Sequence, residues 1–356
     1  IRFVITNRPS KPEAKPLSRG LIAVNLAQSN GSGNLISWRM HASDEGNSKY
    51  KLYRGTSWGA YQLGCAYYLQ EAGYEVPGCD MLYWGNVPFG SGLSSSASIE
   101  VLTCVALATL GGRKDLDMTE ISLISQRCEN KFCGVNCGIM DQFASANGKK
   151  NHAMLLDCNA IQATLVPLNL DGYSIIATNT NKKRGLADTY YNLRRAQCEQ
   201  AVEDLKVKFP NLKYLCELTP DQLEENIELI KDKTAWPRAR HAVQENARVL
   251  ESVEVLKKGD IKRFGELMIA SHNSLRDLYE MTGPELDALN DAALTVPGVI
   301  GSRMTGAGYG GCTVSIVKNE NVEDFKRIVG KLYTEKTGLV PSFYISEIGD
   351  GAGELK

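Results

Sequence analysis

Apolar positions along this 356-residue chain fall into short extended runs bounded by Gly, Asn or Pro and longer runs with helical spacing. "MLYWGNV" (81–87) is extended and runs into Pro88, and a Gly/Ser loop then leads to "SASIEVLTCVALATL" (96–110). That second run starts poor in β-formers and is apolar throughout its body, which predicts a buried helix. "MTEISLISQRCENKF" (118–132) has the alternation of an amphipathic helix ending before "GVNCG". "HAMLLDC" and "YSIIATNT" read as strands, as do "GCTVSIV" and "SFYISEIG" near the end. "GLIAVNLAQSNGSGNLISWRMHAS" (20–43) places two extended runs around Asn30-Gly31-Ser32-Gly33, a hairpin pattern. Beyond about 172 long charged helices dominate, at 188–207, 237–258 and 260–279. The expected organisation is an N-terminal domain over 1–172 and a C-terminal α+β domain over 173–356, without internal repeat or low-complexity linker.

Charge changes the picture little. The 40 Lys and Arg balance 41 Asp and Glu, so nothing global points to nucleic acid or an anionic membrane. The longest apolar run, Ile99 to Leu110, contains Glu100 and falls short of the roughly 18 residues a membrane span needs. "IRFVITNRPSK" lacks the apolar core and cleavage site of a signal peptide, so a soluble cytoplasmic protein is expected. Ten cysteines are few for this length, and Cys104, Cys128 and Cys312 sit in apolar segments, so reduced thiols are expected. "CGVNC" (133–137) has no second Cys pair and no nearby His, which argues against zinc there. His41, His152, His241 and His272 are scattered and read as ordinary surface or core residues.

"PFGSGLSSSAS" (88–98) is the chemically informative stretch. A helix N-terminus exposes unpaired N–H groups and the positive end of its dipole, and together these bind phosphate oxygens. Gly90 and Gly92 let the backbone bend closely around an anion, while the hydroxyls of Ser94, Ser95 and Ser96 can donate to phosphate or ligate magnesium. The plainer reading is a serine N-cap after a flexible turn, for which one serine suffices. No G-x-x-x-x-G-K-[ST] exists, so a Walker loop is excluded. "GAGYGG" (306–311) satisfies G-x-G-x-x-G, but a strand follows it where a dinucleotide site needs a helix. A tight turn packed against a neighbour, or a plain glycine-rich hairpin, remains for that loop.

These residues carry a resemblance. "PFGSGLSSSAS" and "MTGAGYGGCTVSIV" resemble the second and third signatures of the GHMP kinases, and "ENKFCGVNCGIMDQFAS" with "NTNKKRGLADTYYNLRRAQC" is similar to the galactokinase branch, continuously from about Trp58 to the C-terminus. The resemblance implies an α+β two-domain fold, with a ribosomal S5 domain 2-like N-terminal domain, a ferredoxin-like C-terminal domain and the active site in the cleft between them. It implies an ATP-dependent, magnesium-requiring kinase, a monomer, that phosphorylates the anomeric hydroxyl of galactose. By matching position, Asp141 is the catalytic carboxylate, which accepts the sugar proton, and Ser96 and Glu129 are the magnesium ligands. Gly90, Gly92, Leu93, Ser94, Ser95, Ser96 and Ala97 form the ATP phosphate loop, with Trp58 near the adenine and Tyr61 in the same motif. Gly138, Asp141 and Tyr191 match sugar-contacting positions. Beside these stand plainer roles: a capping Asp141, a solvated Glu129, a half-buried Tyr191 and a core Trp58. Lys182, Lys183 and Arg184 read as a solvated charge run.

The front of the chain departs from the family. Galactokinases begin with a segment like "G-R-V-N-L-I-G-E-H-T-D-Y", and no such acidic-histidine cluster precedes Trp58. If "RFVITNRPSK" occupies that place, Arg2 stands at the transfer-assisting Arg, while Arg8, Pro9 and Lys11 replace the Glu, His and Asp that grip the sugar. Three accounts stay open: a fragment without its native start, N-terminal residues that are not the native ones, or a relative that has lost the activity. A kinase for N-acetylgalactosamine or arabinose, and a non-catalytic sugar- and ATP-binding regulator, are the competing functions.

Overall fold

In the computed structural model, residues 59–85, 87–88, 91–182 and 187–354 are described, together with the backbone of two N-terminal strands, 2–6 and 34–40. The chain divides into two units: Ile1–Pro88, Ser94–Leu165 and Ile348–Lys356 form the first, and Phe89–Leu93 with Val166–Glu347 the second.

The first unit is built on an antiparallel sheet in which β1 (Arg2–Thr6) and β2 (Asn34–Met40) flank β3 (Cys79–Gly85). Arg2 pairs with Trp84 and Asn34 with Gly85. The second half of the expected hairpin is thus β2, and its first half lies outside the described residues. Helices α1 (Gly59–Glu71), α2 (Ser95–Leu110), α3 (Met118–Arg127) and α4 (Met140–Asn147) follow in chain order, with a small ladder of β4 (His152–Asp157) and β5 (Gln162–Pro167). Every residue of α2 from Ala97 to Ala108 is buried. A helix apolar on all sides must be enclosed, and its Leu102 and Leu107 form one core with Leu69, Met81 and Ile121.

Asp117 starts α3 by accepting from Thr119 N at 2.8 Å and Glu120 N at 3.3 Å, and a carboxylate suits the positive end of the helix dipole. The helix expected over 118–132 does not remain α-helical. It widens into a π turn over Cys128–Phe132, where Cys133 N donates to Cys128 O at 3.0 Å. Hydrophobic spacing cannot reveal this, because one wide turn barely disturbs the period. At the other end of the chain the tail returns to the first unit: Gly351 N donates to Gly148 O at 2.7 Å and Ala352 N to Ser145 O at 2.9 Å.

The second unit carries an antiparallel sheet in the order β7-β8-β6-β9, from β6 (Tyr173–Asn179), β7 (Val299–Thr305), β8 (Cys312–Lys318) and β9 (Ser342–Ser346). Its helices are α5 (Ala187–Leu205), α6 (Pro220–Asn226), α7 (Trp236–Lys257), α8 (Ile261–Ser274), α9 (Pro284–Leu294) and α10 (Val322–Thr337). Ile176, Leu289, Phe325, Val329 and Tyr333 form the core that includes α9 and α10, and Leu205, Leu223, Ile230 and Val243 form another among α5 to α7. The "GAGYGG" loop joins the antiparallel strands β7 and β8, as a hairpin rather than a dinucleotide turn. Its Gly306, Gly308, Gly310 and Gly311 all have positive φ, and a Cβ on Gly308 would collide with Met281 O. Among the described residues no helix is long and apolar enough to cross a membrane.

Candidate active site

The phosphate-loop residues meet the start of α2 in an unusual backbone state. Gly92 has φ 78° and Ser94 φ 57°, and Ser94, although at the N-cap, makes no cap hydrogen bond with its side chain. A left-handed conformation is cheap for glycine and costly for serine. The loop therefore enters the helix by a turn that leaves the first-turn amides of Ser95, Ser96 and Ala97 without a side-chain cap. Leu93, Ser95 and Ser96 are half-buried and Ala97 is buried. Gly90 and Trp58 lie outside the described residues, as does the side chain of Arg2, whose backbone belongs to β1.

Glu129 sits in the π turn, buried to 6% exposure, with the hydroxyl of Ser96 close enough to stabilise its carboxylate. Burial raises its pKa, the Ser96, Cys137 and Gln142 hydrogen bonds pull it down, and repulsion from Asp141 adds to the rise. The two residues expected to share a cation are thus brought together, across 33 positions of sequence, by the helix start and the π turn. Asp141, half-buried, lies in the first turn of α4, one residue before Gln142. Gly138 is exposed, and a Cβ there would meet nothing within 4 Å. Tyr191 is on α5 of the second unit with 39% exposure, while its neighbour Tyr190 stacks on Tyr309 with centroids 4.4 Å apart. Lys182 is ion-paired to Glu285 at 2.7 Å rather than simply solvated, and Lys183 and Arg184 lie outside the described residues.

Four residues not singled out from sequence build the rest of the site. Gln142, fully buried, donates from Nε2 to Glu129 Oε2 at 2.6 Å and to Glu100 Oε2 at 3.1 Å, tying the two carboxyls together. Glu100 is pushed up to about 10, first by burial and then by Glu129, so it carries its proton at neutral pH. Asn130 accepts from Cys137 N at 2.8 Å and donates to Cys137 O at 3.3 Å, clamping the backbone just before Gly138. Cys137 also points its thiol at Glu129 Oε2, 3.5 Å away. Glu100 had a signal in the sequence, being the lone acid in an apolar run. Asn130 and Gln142 had none beyond lying next to Glu129 and Asp141, because amides are ordinary surface residues until burial gives them partners.

The chemistry of this donor set is specific. Uncapped amides and hydroxyls at a helix start suit phosphate, and a carboxylate beside a hydroxyl supplies the hard oxygen donors that magnesium prefers. A second carboxylate nearby is placed to take a proton.

Comparison with known proteins gives the family. Residues 60–149 match the GHMP kinases N terminal domain and residues 252–335 the GHMP kinases C terminal family. A galactokinase of Fusobacterium nucleatum is 54% identical over 300 residues, covering 84% of this chain and 77% of that protein. One from Bacillus subtilis is 49% identical over 300 residues, covering 84% and 76%. The crystal structure of Lactococcus lactis galactokinase complexed with galactose superposes with a TM-score of 0.82 at 36% identity, covering 95% of this chain and 89% of that one. With relatives this similar aligned over more than three quarters of their length, the chain belongs to the galactokinases of the GHMP kinase superfamily.

Proposed function

We propose that this chain transfers the γ-phosphoryl group of ATP to the anomeric hydroxyl of galactose, giving galactose 1-phosphate and ADP. The observation that carries the mechanism is Glu129 fixed by Gln142, with Ser96 and Asp141 close enough to shift its pKa, next to an uncapped helix start. The amides of Ser95, Ser96 and Ala97 and the hydroxyls of Ser94 to Ser96 hold the triphosphate, replacing water with fixed dipoles. Ser96 and Glu129 are the residues that would hold magnesium, since the Ser96 hydroxyl stabilises the Glu129 carboxylate and both offer hard oxygen donors. Bound there, magnesium neutralises triphosphate charge. Gln142 fixes Glu129, so the carboxylate does not reorganise during the reaction. Asp141 orients the sugar hydroxyl and accepts its proton as the phosphoryl group leaves ADP. Gly138, with open space where a side chain would stand, lets the sugar approach the backbone, and Tyr191 supplies a phenol to a ring hydroxyl.

The decisive experiment measures ADP release with galactose and with a panel of other free sugars. Galactose is expected to be the preferred acceptor, and Asp141→Ala to lower turnover by about 10²-fold or more while nucleotide binding persists. Unchanged turnover in the variant would remove Asp141 from its role. Tight nucleotide binding with no turnover on any sugar would overturn the kinase reading.

A further inference from the structure

Beneath the site lies a group of side chains that phosphoryl transfer does not use. A carboxylate oxygen of Glu100 and the Sγ atoms of Cys128 and Cys133 all lie within 4.8 Å of one another. They come from three places in the first unit: Glu100 from α2, Cys128 from the end of α3 at the π turn, and Cys133 from just beyond that turn. The π turn is what brings the two thiols, five residues apart, to one side, with Cys133 N bonded to Cys128 O. Donors around tetrahedral zinc stand about 3.5–3.8 Å apart at Zn–S distances of about 2.3 Å, so small rotations of these side chains suffice.

A further observation points to a ligand. Glu100 is fully buried, yet its Oε1 has no hydrogen-bond partner among the described residues, Oε2 alone being engaged by Gln142. A buried carboxyl oxygen without a partner is costly, and a cation would satisfy it. The Cys128 thiol packs against Gly64 of α1, where a Cβ would stand 2.5 Å from its Sγ, and donates to Tyr61 O at 3.3 Å. Cys133 is half-buried and gives a way in from the surface.

We propose that Glu100, Cys128 and Cys133 form a binding site for a thiophilic divalent cation of the zinc class, which displaces the protons of the carboxyl and the two thiols to solvent, with a fourth position open to water. Two thiols and one carboxylate match zinc and exclude magnesium, which avoids sulfur. Because Gln142 bonds both Glu100 and Glu129, a cation held by Glu100 draws on the same amide that fixes Glu129. Occupancy therefore slows phosphoryl transfer, a consequence that rests on the kinase function proposed above, whereas the binding itself does not.

Binding is measured first, by equilibrium dialysis of reduced, metal-free full-length protein against Zn2+, and by the thiolate-to-cobalt absorption band with Co2+. One equivalent per chain is expected, with affinity lowered at least tenfold by Cys133→Ser and by Cys128→Ser, and unchanged by Cys158→Ser. Circular dichroism checks that each variant folds, and if Cys128→Ser does not, the more exposed Cys133 decides. No stoichiometric binding, binding indifferent to Cys133→Ser, or binding that depends on Cys137 instead would overturn the site. In the second arm Zn2+ lowers galactose-dependent ADP release in the parent protein, reversibly with chelator, and leaves Cys133→Ser unaffected. A loss of activity equal in both proteins would overturn the coupling. A chain that binds Zn2+ through these residues but phosphorylates no sugar would keep the site and sink the kinase reading.

Discussion

Glu100 holds its proton at neutral pH because burial and the neighbouring Glu129 both oppose a second negative charge. Its pKa rises from the ordinary 4.5 to about 10 in the folded chain. The folded state therefore prefers the protonated form, and the contribution to stability is whole below pH 4.5 and lost as pH rises towards 10. Glu100→Gln removes that titration. Urea denaturation in the presence of chelator between pH 5 and pH 9 is expected to show the parent losing stability relative to the variant with rising pH, by up to about 1.4 kcal/mol per unit. Parallel profiles would mean that Glu100 ionises normally. Ser94 stores a different cost, a left-handed backbone at a residue with a Cβ and no compensating cap bond. Strain of this kind persists where function needs the geometry.

At the scale of elements, the start of α2 and the π turn after α3 do the positioning. The loop must turn through Gly92 and Ser94 with positive φ for α2 to present bare amides, and the π turn swings Glu129 towards Ser96. Ser94→Gly relaxes the backbone and removes a hydroxyl that faces phosphate in the proposed mechanism. Its urea midpoint is expected to rise by an amount equal to about 1 kcal/mol with unchanged m, while KM for ATP increases. A lowered midpoint would show that the serine side chain holds the loop. The presence of α2 and its burial were legible from its unbroken apolar run, as were the long helices α5, α7 and α8. The π turn was not, because it is a matter of backbone hydrogen-bond register and leaves the side-chain pattern nearly intact.

At the scale of the whole molecule, the chain crosses between its two units more than once, and its C-terminal tail ends against α4. Gly351 packs so tightly that a Cβ would collide with Ala146 O, and its N–H bonds Gly148. Gly351→Ala is expected to destabilise the first unit by about 1–3 kcal/mol and to speed hydrogen exchange at amides 140–148, leaving those of β6 and β8 unchanged. Equal exchange in both proteins would make the tail a passive end. Composition located the change of character near residue 172, but composition is blind to backbone contacts, so the return of the last residues could not be seen in it.

The sequence by itself determined the family and supplied the candidates for the phosphate loop and the reacting carboxylates, because those rest on residue types in fixed local order: glycines and serines before an apolar helix, and an aspartate in "CGIMDQF". Only the tertiary structure decided which distant side chains share one space. It paired Ser96 with Glu129, placed Gln142 between two carboxyls, and gathered Glu100 with Cys128 and Cys133 where local spacing had argued against a thiol metal site. The physical reason is burial: an amide, a thiol or a carboxyl acquires its protonation and its partner from what surrounds it after folding, and nothing in the linear order records that environment.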